Sequence, residues 1–124
     1  MNKTINQKDF KIKLLDIINK NKDGFTIDFN LNPIIKKKGF FVALTNNYNN
    51  DFNIVIENLF KLKDDFKQFE KNLLIGLWFN SENKTYYLDL SLYIENKKYA
   101  LMIGKLFNQK AIFNIKNLNC INID

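Results

Sequence analysis

Residues 75–94, IGLWFNSENKTYYLDLSLYI, alternate apolar and polar side chains on both sides of a polar turn. Side chains of an extended strand point to opposite faces in turn, so this stretch restricts the fold more than any other. With the turn centred on Glu82 and Asn83, Phe79 faces Tyr86, Leu77 faces Leu88 and Ile75 faces Leu90. All six fall on one side, which Leu92 and Ile94 continue. The other side carries Trp78 opposite Tyr87 and Gly76 opposite Asp89, followed by Ser91 and Tyr93. A slip of one residue would set leucines against polar partners, so the pattern predicts both an antiparallel hairpin and its register. One face is core. The other sets aromatic rings beside a carboxylate, and that combination needs a reason.

The remaining chain supplies what such a hairpin packs against. Thr4 and Gln7 have the spacing of a capping box, and Phe10, Leu14, Ile17 and Ile18 recur at helical intervals. Gly24 suits a stop, which predicts a first helix over about residues 4–22. Phe25, Ile27, Phe29 and Leu31 alternate with polar residues and predict a strand, broken at Asn32-Pro33. Residues 39–44, GFFVAL, predict another, and the polar run TNNYNN at 45–50 reads as the least ordered internal segment. Asp51 is placed to cap a second helix whose apolar stripe is Phe52, Ile56, Leu59, Leu62, Phe66 and Phe69. Asn96 is placed to cap a third, with Tyr99, Met102, Ile103, Leu106 and Phe107 as its buried stripe, ending near Asn108-Gln109. Residues 111–115 return as a strand, and Ile121 and Ile123 add a short edge. The order α-β-β-α-β-β-α-β predicts a single α+β domain over residues 1–124. It has two layers: a mostly antiparallel sheet of about five strands, and three helices largely on one face.

Length and composition bound the function. A chain of 124 residues buries roughly two thirds of its unfolded surface and folds without a metal or disulfide. No apolar run approaches the ~20 residues that span a bilayer, so no membrane partner is expected. The N-terminal stretch MNKTINQKDF lacks the apolar centre of a secretion signal. The lone Cys120 fits a reducing cytoplasm. There is no histidine, which removes the commonest general base and zinc ligand. The four glycines form neither a phosphate loop nor a dinucleotide fingerprint. The expectation is a non-enzymatic protein with no metal and no cofactor.

The net charge of +6 points to a polyanion or an acidic partner, but every basic residue is lysine. Asn, Lys, Ile and Phe, with 21, 19, 16 and 12 copies, make up more than half the chain, and all are read from A/T-rich codons. Base composition therefore accounts for part of the charge. Arginine, the residue best suited to bidentate phosphate and guanine contacts, is missing, which weakens a nucleic-acid reading. The lysines concentrate at residues 1–22, including Lys11 and Lys13, at Lys36, Lys37 and Lys38, and at 96–124, whereas 73–95 is acidic. A base-stacking surface sets its aromatics beside cations; here they stand beside carboxylates. A Trp78–Tyr87 pair stabilises a hairpin by up to about 1 kcal/mol with no partner, and a helix over that face would make Trp78 ordinary core. The functional alternative is a protein-contact surface of Trp78, Tyr87, Asp89, Ser91 and Tyr93, since Trp and Tyr are enriched at binding hot spots. The lysines named above would then steer a partner toward it.

The run from Ile75 to Ser91, then Ala100, then Asn108-Gln-Lys-Ala-Ile-Phe113, resembles a unit found in small accessory proteins of phages and conjugative elements. There a Gly-x-Trp strand, a polar turn, a Tyr-Tyr-x-Asp strand and a helix lead to Asn-Gln-x-Ala-Ile-Phe. Residues 39–44 match a further element faintly. Leu77 stands where a second glycine would be expected, and the basic segment 1–22 looks like an addition. The resemblance implies an accessory protein of a mobile element, working in the host cytoplasm against a host defence nuclease, in the manner of an anti-CRISPR. A basic nucleic-acid-binding regulator is the competing reading, and a homodimer through the 121–123 edge is a further expectation.

Overall fold

The computed structural model describes residues 7–21 and 23–123. Helix α1 spans Gln7–Lys20 and buries Phe10, Leu14 and Ile18. The capping box anticipated at Thr4 lies outside the described residues. Strand β1, Phe25–Asp28, is shorter than the alternation suggested. The Asp28 carboxylate accepts the N–H groups of Asn30 and Asn32 at 2.8 and 2.9 Å, and Leu31 turns into the left-handed region at φ 67°. That Asx turn outcompetes the strand ladder for the chain's donors.

Strands β2 (Phe40–Ala43) and β3 (Tyr48–Asn49) follow. Helix α2, Phe52–Asp65, starts where Asp51 accepts the Asn53 N–H at 2.8 Å. It stops earlier than its apolar stripe suggested. Phe66 leaves helical geometry, and a 3₁₀ turn, Lys67–Asn72, carries Phe69. Strands β4 (Leu74–Asn80) and β5 (Thr85–Ile94) form the hairpin in the register anticipated, with Ile75 opposite Leu90, Leu77 opposite Leu88 and Trp78 opposite Tyr87. Helix α3, Lys97–Leu106, is capped by Asn96, whose Oδ1 accepts the Tyr99 N–H at 3.1 Å. Strands β6 (Ala111–Asn114) and β7 (Asn119–Asn122) close the chain as a second tight hairpin.

The protein is a single α+β domain with one antiparallel sheet of seven strands in the order β1-β4-β5-β2-β6-β7, in which β3 also pairs with β5. The sheet is larger than the five strands expected because β3 joins it and the short edge anticipated at Ile121 forms a full strand, β7. All three helices lie on one face. Phe10, Leu14, Ile18, Val55, Ile56 and Leu59 meet Ile27, Ile75, Leu77, Leu88 and Leu90 in the main core. Ala100 of α3 joins Phe40, Val42 and Ile112 in a second cluster on the same side.

The two long helices bury large side chains, and α3 does the reverse. Ala100 is fully buried and Gly104 is buried, while Tyr99, Met102 and Leu106 are 57%, 53% and 69% exposed. The expected buried stripe is thus corrected for these three residues; Ile103 and Phe107 pack inward as anticipated. Small residues let the helix lie close on the sheet. A Cβ at Gly104 would fall 2.7 Å from Ile123 Cδ1 and 3.1 Å from Ile112 Cγ2, so a larger side chain there would have to displace both.

Candidate protein-contact face

On the side away from the helices, alternation brings Gly76 and Trp78 of β4 beside Tyr87, Asp89, Ser91 and Tyr93 of β5. Among the described residues no helix covers Trp78, which is 41% exposed. Its ring stacks on Tyr87 with centroids 4.8 Å apart, and Tyr87 meets Tyr48 of β3 at 5.3 Å. Tyr48, directly opposite Tyr87 in the ladder, is 58% exposed. Three rings from three adjacent strands therefore form a row across the sheet. Tyr48 was the member the sequence reading missed. Its only signal was a lone aromatic in a run of asparagines.

Tyr48 is held there by Asp89. Segment 44–49 runs along β5 as an interrupted strand. Leu44 donates its N–H to the Leu90 carbonyl at 2.7 Å, and Leu88 donates to the Asn47 carbonyl at 3.0 Å. At the interruption the Asp89 carboxylate fills the gap. Its Oδ1 accepts the Thr45 hydroxyl at 2.8 Å and the Asn47 N–H at 2.7 Å. The Asn47 amide donates to the carbonyls of Val55 and Leu88, which ties the segment to α2 and β5. Thr45 and Asn47 are buried. The segment expected to be least ordered is therefore locked by hydrogen bonds, because its polar side chains find buried backbone partners.

This geometry corrects the view of Asp89 as a displayed carboxylate. Burial pushes its carboxyl up from 3.8 to about 6, against the Asn47 N–H and Thr45 hydroxyl, which favour the anion. Ser91 is likewise buried, at 5% exposure, with its hydroxyl 3.1 Å from where a Cβ on Gly76 would stand. Ser91 lies beneath the surface and Asp89 is half-buried with its carboxylate turned to Thr45 and Asn47, so the rings of Trp78, Tyr87 and Tyr48 are what the face presents.

At the other end of the face Tyr93 is engaged internally. Its hydroxyl donates to the Lys38 carbonyl at 2.9 Å, and the Lys36 ammonium sits 4.7 Å over its ring. Phe41 meets it edge-on at 6.0 Å. Lys36, Lys37 and Lys38 are exposed, and Lys38 pairs with Glu95 at 3.7 Å. Lys11, half-buried, and Lys13, exposed, lie on α1, on the far side of the sheet from Trp78. The anticipated residues thus divide among an open aromatic row, a closed tyrosine clasp under the lysine loop, and a separate basic helix.

Among the described residues no group of three or more His, Cys, Asp or Glu side chains converges, and no helix is long and apolar enough to cross a membrane. No protein family, curated protein or solved structure matches the chain.

Proposed function

We propose that this chain is a non-enzymatic binding protein of a phage or mobile element that obstructs a bacterial defence nuclease, a CRISPR effector being the first candidate. The observation that carries the binding reading is the Tyr48–Tyr87–Trp78 row, three rings held by backbone ladders on a sheet face that no helix of the described residues covers. Rings fixed by a sheet bring large contact area at little entropic cost, which is what binding hot spots use. The choice of target rests on the resemblance of residues 75–113 to accessory proteins of mobile elements. The absence of histidine and arginine from the sequence supports contact over catalysis and protein over nucleic acid.

The test combines purified protein with candidate defence nucleases and measures complex formation and cleavage rate. Slower cleavage that Trp78→Ala and Tyr48→Ala relieve, with the fold intact, supports the proposal. No complex with any nuclease and unchanged cleavage overturns it. Binding to a DNA or RNA probe that weakens steeply with salt would replace it with the regulator reading, since neutralising phosphates releases counterions.

A further inference from the structure

Helix α3 has a second apolar face that the fold leaves unused. Tyr99, Met102 and Leu106 stand at positions i, i+3 and i+7, so they share one side of the helix. That side is opposite Ala100 and Gly104, which pack on the sheet. Each of the three is more than half exposed. Lys98 and Lys105, four before and three after Met102, line one edge of the stripe, and both are exposed. The surrounding segment has a single sign: residues 96–123 contain Lys97, Lys98, Lys105, Lys110 and Lys116 and no acidic residue. Among the described residues none of these five lysines meets a carboxylate within 4.0 Å.

We infer that this face of α3 lies on an anionic bilayer surface, with Tyr99, Met102 and Leu106 entering the headgroup boundary and the lysines meeting lipid phosphates; this departs from the expectation of no membrane partner, which rested on the lack of a spanning segment and does not bear on surface binding. Each alternative occupant conflicts with an observation. Lysine is depleted in protein–protein interfaces, whereas anionic leaflets recruit it. Nucleic acid would not be served by Met102 and Leu106 at the centre of the patch, with no arginine present. A second copy would bring two unrelieved clusters of lysines together. A convex helix side with apolar residues, flanking lysines and an interfacial tyrosine is the arrangement that binds in the plane of a membrane without crossing it. Long lysine stems allow the ammonium groups to reach outward while the neighbouring side chains insert.

This inference is independent of the aromatic row, and the experiment keeps the two apart. The full chain is floated with vesicles of phosphatidylcholine alone and with vesicles of phosphatidylcholine and phosphatidylglycerol. Association with the anionic vesicles only, weakened by salt, is expected. Met102→Ser combined with Leu106→Ser should lower the partition at least about tenfold while leaving the circular dichroism unchanged, because both side chains are already in water. Lys98→Gln with Lys105→Gln should also weaken it, and Trp78→Ala should leave it intact. The inference is overturned if the anionic vesicles do not retain the protein, or if the Met102/Leu106 variant binds them as well as the wild type. It is equally overturned if sedimentation without lipid shows a dimer that this variant dissolves, or if the variant loses a protein complex while vesicles never bind.

Discussion

The outward face of the sheet is finished differently at its two ends. Tyr87 and Tyr93 stand on the same strand and the same side, six residues apart. Around Tyr93 the chain closes. The hydroxyl bonds the Lys38 carbonyl, Lys36 covers the ring, and buried Gly39 passes so near that a Cβ there would lie 2.7 Å from it. Around Tyr87 other rings gather, Trp78 on one flank and Tyr48 on the other, and both remain substantially exposed. Identical residue types thus serve as an internal clasp at one end and as a presented surface at the other. The backbone beside each tyrosine makes the difference. A left-handed glycine lets the loop descend onto Tyr93, whereas the interrupted strand beside Tyr87 raises one more ring instead.

The largest effect should come from the carboxylate that holds this interrupted strand. Asp89→Ala leaves the Asn47 N–H and the Thr45 hydroxyl without their acceptor, and should cost about 2–3 kcal/mol in chemical denaturation. It should also speed amide exchange across residues 45–49. Asp89→Asn keeps an oxygen where both donors point, so it should cost far less. Wild type and this variant should differ in pH dependence. Because the folded carboxyl titrates near 6 and the unfolded one near 3.8, the fold favours the protonated form. That contribution is complete below about 3.8, fades as pH rises to about 6, and is absent above. Asp89→Asn should abolish this decline, which denaturation series between those limits would measure. A stability profile identical in the two proteins would show that Asp89 is not buried in solution.

The closed end should respond next. Gly39 sits at φ +101°, and the Tyr93 ring occupies the place of its missing Cβ. Gly39→Ala therefore combines backbone strain with expulsion of the ring, about 2 kcal/mol together. Tyr93→Phe, which loses only the bond to the Lys38 carbonyl, should cost about 1 kcal/mol. If both variants match the wild type in thermal unfolding, the clasp is open in solution and the two ends of the face are alike.

What the sequence disclosed follows the same division. The β4–β5 register was legible because alternation over twenty residues leaves one pairing that buries every leucine. The caps at Asp51 and Asn96 were legible because a cap is a local bond. Segment 45–50 was not, because its order depends on Asp89, 44 residues beyond Thr45, and composition alone reads TNNYNN as loop. The third helix was misread for a different reason. It carries two apolar faces, and hydrophobicity favours the one with large residues, whereas close packing on the sheet selects the one with Ala100 and Gly104. Trp78 and Tyr87 were legible as a pair, yet the aromatic row has a third ring, which a polar segment supplies.

The smallest effect on stability, and the sharpest on function, belongs to the open end. Trp78→Ala and Tyr48→Ala remove rings that are 41% and 58% exposed and lie outside the core, so each should cost only about 1 kcal/mol of folding stability. If the row is a contact surface, the same substitutions should weaken partner binding by about 2 kcal/mol or more, roughly thirtyfold, as truncations at interface hot spots do. Tyr93→Ala should show the opposite balance, with a clear loss of stability and little change in affinity once the fold is saturated at low temperature. Measuring unfolding and nuclease inhibition for all three variants places each ring in one class. If Trp78→Ala unfolds the protein and spares inhibition, the row is an internal stabiliser of the hairpin, and the partner must be sought on another face.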